Sequence, residues 1–228
     1  MIAILFLAVV SFYLYRLMGG APRLHVRRPQ PMQAATTKIN ELAEYAGHML
    51  ASNKYTGAEK IYLQILKIDH RHTATYSRLG KVYMAMKNSS DAIECFQVAT
   101  QLSPDEPTFY NLGVAYYENR NPMKAIAAFE KATMFGSSAR TYVGLAKSYN
   151  RMGDGEHMVS SLEQAAELDP TARVLWLLHD AYEAAGRSDE LPAVIRRIRK
   201  ADPKDLRLRA MPKRPKARAT AAAKPSRT

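Results

Sequence analysis

The chain has 228 residues, a length suited to one or two domains with enough apolar residues to bury a core. Its single cysteine, Cys95, excludes an internal disulfide framework and a multi-cysteine zinc site. The formal charge of +12 sits at the ends. Residues 1–30 carry four arginines and no acid, residues 204–228 carry nine Lys/Arg against Asp205, and the residues between hold 20 basic and 20 acidic side chains.

The first element, "MIAILFLAVVSFYLY", continues to Met18 with only Ser11 and Arg16 as polar interruptions. As a helix, residues 1–18 would extend about 27 Å, slightly less than the ~30 Å hydrocarbon core. Tyr13 and Tyr15 stand where interfacial aromatics belong, and Arg16 can extend to the headgroups. The segment reads as an uncleaved single-pass anchor, because no basic residue precedes the apolar run and Arg16 separates it from any cleavage near "GGA". A cleaved leader on an exported protein is the alternative. Arg16, Arg23, Arg27 and Arg28 place the body on the cytoplasmic side of an inner or plasma membrane. Residues 19–38, which include "APRLHVRRPQP", read as a stiff basic linker.

A repeated pattern then takes over. In "TATYSRLGKVYMAMKNSSDAIECFQVATQLSPDE", Tyr76, Leu79, Gly80 and Tyr83 share one helical face, while Ala92, Phe96 and Ala99 mark a second helix before Pro104. The next copy has Phe109, Leu112, Gly113, Tyr116, Ala125, Phe129 and Ala132. The one after has Tyr142, Leu145, Ala146, Tyr149, Leu162, Ala165 and Pro170. Residues 39–72 and 172–204 are degenerate copies, with His70 at the proline position and His179 at the small one. Spacing shortens from 34 to 33 after the first copy, and the intact Phe-Ala-Pro intervals put the missing residue in the turn between repeats. Breakers at Gly57, 87–90, 121–122, 153–155 and 186–189 mark expected helix ends.

This series resembles the tetratricopeptide repeat, and an anchor followed by repeats is similar to membrane-bound bacterial members of that family. The resemblance implies an all-α fold: an α-solenoid of five helical hairpins over 39–204 (repeats 39–72, 73–105, 106–138, 139–171 and 172–204), following one transmembrane helix. Gly80 and Ala92 are expected to be small so that paired helices approach closely beside Tyr83 and Phe96.

No phosphate loop, nucleophile elbow or zinc-protease motif is present in the sequence, which reads as a non-enzyme without a cofactor. "DHRH" at 69–72 reads as a solvated turn, His48, His157 and His179 as packing or hydrogen-bonding residues, and Cys95 as a small hydrophobe. By family resemblance, the groove positions are Arg78, Lys81, Tyr110, Asn111, Tyr117, Arg140, Lys147 and Arg151, a basic-aromatic surface for a protein partner or acidic peptide. The carboxylate clamp of co-chaperone members is matched only by Asn111 and Arg140; Ser77, Lys81 and Gly144 depart from it. Residues 205–228 read as a disordered basic tail, whose Lys213, Arg214, Lys216 and Arg218 suit anionic lipid or non-specific nucleic acid. The expected function is therefore a membrane-anchored scaffold, with a tail-borne nucleic-acid or lipid tether as the alternative.

Overall fold

The structure, a computed structural model, describes residues 31–211. The expected anchor at 1–18, the first part of the linker, and Lys213, Arg214, Lys216 and Arg218 lie outside the described residues. Among the described residues no helix is long and apolar enough to cross a membrane.

Eleven α-helices make up the described residues, and no strand occurs among them. They are α1 (Pro31–Ala51), α2 (Tyr55–Ile68), α3 (Thr73–Ala85), α4 (Ser89–Leu102), α5 (Glu106–Glu118) and α6 (Pro122–Phe135). Then come α7 (Ala139–Met152), α8 (Gly155–Leu168), α9 (Ala172–Ala184), α10 (Leu191–Ala201) and the short α11 (Leu206–Ala210). From α2 to α10 each helix packs on the next in sequence, and α5 touches both α3 and α7. This is the packing of a solenoid of helical hairpins. Residues 31–38, expected in the linker, belong to α1.

The turns carry the repeat length. Four residues, 69–72, separate α2 from α3, whereas three separate α4 from α5, α6 from α7, and α8 from α9. The missing residue is thus lost between repeats, where a cap can be shortened without moving either apolar face. The side chains of Asn88, Asp105, Asn121, Ser138 and Asp154 each accept the backbone N–H three residues on, satisfying donors that a helix start leaves open. Pro122 occupies the first position of α6, where no N–H is needed. Gly57 does not end a helix: it lies in the first turn of α2, and an added Cβ would meet Met49 Sδ at 3.2 Å. Its lack of a side chain gives Met49 room there.

Each first helix ends on a left-handed residue: Asn53, Lys87, Arg120, Gly153 and Gly186, with φ of 56, 62, 57, 78 and 70°. The next N–H returns to the carbonyl five residues back, as from Asn88 to Tyr83 and from Asn121 to Tyr116, both at 2.9 Å. The closing bonds hold Lys87 and Arg120 in a conformation that costs a side-chain-bearing residue about 1 kcal/mol or more. Lys87→Gly and Arg120→Gly are therefore each expected to raise stability by roughly 0.5–1 kcal/mol, read as a higher urea midpoint with an unchanged slope. A lower midpoint in both would show that the lysine and arginine side chains contribute more than the turn strain costs.

Between the paired helices, Phe96 lies against Gly80 and Phe129 against Gly113, where an added Cβ would stand 2.7 Å from either ring. The close approach expected at Gly80 is thus present. Phe129 is also covered from the next hairpin by Gly144, again with only 2.7 Å for a Cβ. In the following repeat the pair is Ala146 with Leu162, both buried: a smaller side chain leaves room for the methyl. Successive hairpins are tied by Tyr83 to Glu59 (3.0 Å), Tyr149 to Glu130 (3.2 Å) and Tyr182 to Glu163 (2.7 Å), with Tyr116 accepting from Gln97 at 2.8 Å. Burial, reinforced by the carboxylate bond, pushes the Tyr83 and Tyr182 hydroxyls up to about 12. Cys95 of α4 is buried, and burial pushes its thiol up to about 11, the behaviour of a packed hydrophobe.

The folded region continues past residue 204, the expected boundary. Trp176 Nε1 donates to Asp205 at 2.7 Å, the Arg207 guanidinium lies 3.9 Å from the Trp176 ring centroid, and Leu208 and Met211 pack on the last core cluster. This short segment covers apolar surface that a further repeat would otherwise bury.

Candidate functional site

Three first helices, α5, α7 and α9, together line a groove of about 570 Å³. From α5 come Tyr110, Val114, Tyr117 and Glu118; from α7 come Ala139, Arg140, Val143, Gly144 and Lys147. Asp169 and Thr171, just before α9, join Arg173, Val174 and Leu177 of that helix, and Phe129 of α6 contributes from beneath Gly144. First-helix residues recur here because side chains three or four apart project from one face.

The basic residues in this region differ in what they already hold. Glu106 accepts from Arg140 at 2.6 and 3.3 Å, and from the Ser138 and Thr141 hydroxyls at 2.7 Å each. Burial pushes the Glu106 carboxyl up, but the hydrogen bonds from Arg140, Thr141 and Ser138 outweigh it and hold the group below its ordinary range. The Arg140 guanidinium also lies 4.7 Å from the Tyr110 ring centroid. Arg151 lies over Tyr117 at 3.8 Å and donates to the Tyr117 carbonyl. Lys147 and Arg173, both exposed, enter no ion pair among the described residues.

Of the eight groove positions expected from the sequence, Tyr110, Tyr117, Arg140 and Lys147 line the groove, and Arg151 borders it through its stack on Tyr117. Asn111 is on α5 outside the lining, and Arg78 and Lys81 are on α3, apart from it. Asn111 and Arg140 do not assemble a clamp, since Arg140 is committed to Glu106. Arg173 was not among the expected residues, yet it stands 33 positions after Arg140 in the last, degenerate copy. The repeat register was the signal that could have found it. The apolar lining, Val114, Val143 and Leu177, carries no distinctive sequence mark.

The "DHRH" turn is bonded locally: Asp69 accepts from the Arg71 N–H at 2.9 Å, and His72 Nδ1 meets the Thr75 hydroxyl at 2.7 Å. Among the described residues, His179, Asp180 and Glu183 bring potential metal-ligand atoms together. Asp180 is occupied there by Arg207 at 2.7 Å, and buried His179 packs edge-on against Trp176.

Comparison with known proteins agrees with this architecture. A profile described as a tetratricopeptide repeat matches residues 77–139, and a second with the same description matches 139–171. No curated protein matches the sequence. Among solved structures, MamA is 25% identical, with 70% of this chain and 95% of that chain covered and a TM-score of 0.64. TTC0263, a thermophilic repeat protein of Thermus thermophilus, is 20% identical, covering 75% and 95% at a TM-score of 0.56. YrrB, described as having an unusual peptide-binding site, is 17% identical, covering 78% and 96% at a TM-score of 0.60.

Proposed function

The chain belongs to the tetratricopeptide repeat family, and from that premise we propose that it is a non-catalytic scaffold whose groove captures an acidic peptide segment of a protein partner. The observation that carries this reading is the pairing state of the cations. Arg140 is neutralised by Glu106, whereas Lys147 and Arg173 stand in a groove walled chiefly by tyrosine, valine and leucine, and the two acids that also line it, Glu118 and Asp169, lie beyond ion-pair distance of either cation. Apolar walls with a few fixed charges are the usual construction of a binding cleft. The description of YrrB as having a peptide-binding site is consistent with such a use of the fold.

A labelled acidic probe, acetyl-Glu-Glu-Phe-Glu-Glu-amide, should bind the full-length chain in a salt-sensitive manner. Lys147→Glu combined with Arg173→Glu should weaken it at least tenfold, about 1.4 kcal/mol. Melting should be nearly unchanged, because exposed substitutions usually shift stability by no more than about 0.5 kcal/mol. Undiminished binding by the double reversal would place recognition elsewhere.

The scaffold reading includes anchorage through residues 1–18, with the repeats on the cytoplasmic side. It rests on the uncharged run ahead of Arg16 and the arginines that follow it. Resistance to carbonate extraction, with the C-terminus protected from protease in intact cells, is the expected result. A soluble mature chain beginning near Gly20 or Ala21 would favour export instead.

A further inference from the structure

Successive seams between first helices are built from equivalent positions, and the one between α7 and α9 lacks the large side chains of the one before it. Between α5 and α7, Arg151 stacks on the Tyr117 ring at 3.8 Å and plugs the end of the seam with two large side chains. The equivalent positions between α7 and α9, 33 residues later, are Asn150 and Ala184. Two large stacked side chains are replaced by two short ones, and a cavity of about 240 Å³ lies there, adjoining the groove through Val143, Lys147 and Leu177. That is room for far more than a single water, and it suits one aromatic or large aliphatic side chain. Its base is apolar, with Ala146, Met158, Leu162 and Ala181 all buried.

The charges around the opening select the occupant. Asp180 lines the cavity but is bonded to Arg207 at 2.7 Å. Lys147 lines both this cavity and the larger groove and enters no ion pair among the described residues. A cation with no carboxylate answering it among the described residues therefore stands between an apolar socket and the groove.

We infer that the open seam between α7 and α9 is an anchor socket, which takes a bulky apolar side chain of the captured acidic peptide while Lys147 pairs a neighbouring carboxylate. This rests on the groove reading above and adds a sequence requirement to it: a large apolar residue beside an acid. Polyacidic peptides lacking such a residue bind the groove without occupying the socket.

The test compares acetyl-Glu-Glu-Phe-Glu-Glu-amide with the same peptide carrying alanine at its centre, both against the full-length chain. The phenylalanine probe is expected to bind at least tenfold more tightly. Asn150→Tyr with Ala184→Arg copies the Tyr117–Arg151 plug onto the seam. It should abolish the preference for phenylalanine over alanine without weakening the alanine probe or lowering the melting temperature. Asn150→Tyr alone serves if the double variant does not fold. Equal binding of the two probes to the unmodified chain, or a phenylalanine preference that survives the plug, overturns the socket while leaving the groove reading standing. Binding of neither probe overturns both. Self-association that the plug abolishes, with no probe bound, assigns the socket to a second copy and overturns the peptide proposal.

Discussion

Phe129→Ala is expected to lower stability by about 3–5 kcal/mol, the usual loss when a buried aromatic side chain is truncated in a core. The ring is 1% exposed, and it is held between Gly113 of its own hairpin and Gly144 of the next, with 2.7 Å available for a Cβ on either side. Truncation would therefore empty the contact within one repeat and the contact between two repeats together. In a chain of stacked hairpins, stability is close to a sum of repeat and interface terms, so both are lost. The complementary change tests the same contact from the other side. Gly113→Ala gains about 1 kcal/mol in helix propensity, but it forces overpacking that typically costs about 1–3 kcal/mol. The ring cannot swing away toward Gly144, so a net loss is expected. In a Phe129→Leu background, Gly113→Ala should instead be neutral or favourable, because that pair reproduces Ala146 and Leu162 in the next repeat. Urea titrations of the four variants give the coupling directly, and strict additivity would mean that the ring relocates freely.

Glu106→Ala is expected to cost about 2 kcal/mol, since hydrogen bonds to a charged group contribute roughly 1.5–3 kcal/mol and the exposed Arg140 side of the pair adds little. Glu106 opens α5, while Ser138, Arg140 and Thr141 open α7, so one carboxylate joins the starts of consecutive hairpins. The pH dependence follows from its lowered pKa. The folded state holds Glu106 below the ordinary value of 4.5, so its stabilisation is fully present above that pH. As pH falls below 4.5 and through the folded-state value, that stabilisation is lost. The stability gap between the native chain and Glu106→Gln, measured by denaturant titration, should be widest near neutrality and shrink under acid. A gap constant across that range would show that the carboxylate's charge is not what joins the hairpins. The same geometry makes Arg140 a poor position at which to probe partner binding: Arg140→Glu would set two carboxylates together and disturb the hairpin junction itself.

The repeat, its register and its approximate turn positions are written in the sequence itself, because each rests on local or periodic constraints. Tyr83, Gly80, Phe96 and their counterparts recur at fixed spacing because each hairpin must bury the same face against the next. Asn88, Asp105 and Asn121 mark helix starts because short polar side chains satisfy backbone donors within a few residues. The left-handed turns at Lys87 and Arg120 are less apparent, since neither residue favours that conformation and the closing hydrogen bonds impose it. The fold's continuation to Met211 depends on Trp176 meeting Asp205 across 29 residues, and no periodic signal records that contact. Charge alone places Arg140 and Lys147 in one class. Only the packed hairpins bring Glu106 against Arg140, from 34 residues away, and leave Lys147 without an ion-pair partner among the described residues. The repeat register in the sequence marked Tyr110, Tyr117, Arg140 and Lys147 for the groove. The tertiary structure decided which of those charges remain available, because neutralisation depends on distances between helices rather than on spacing along one.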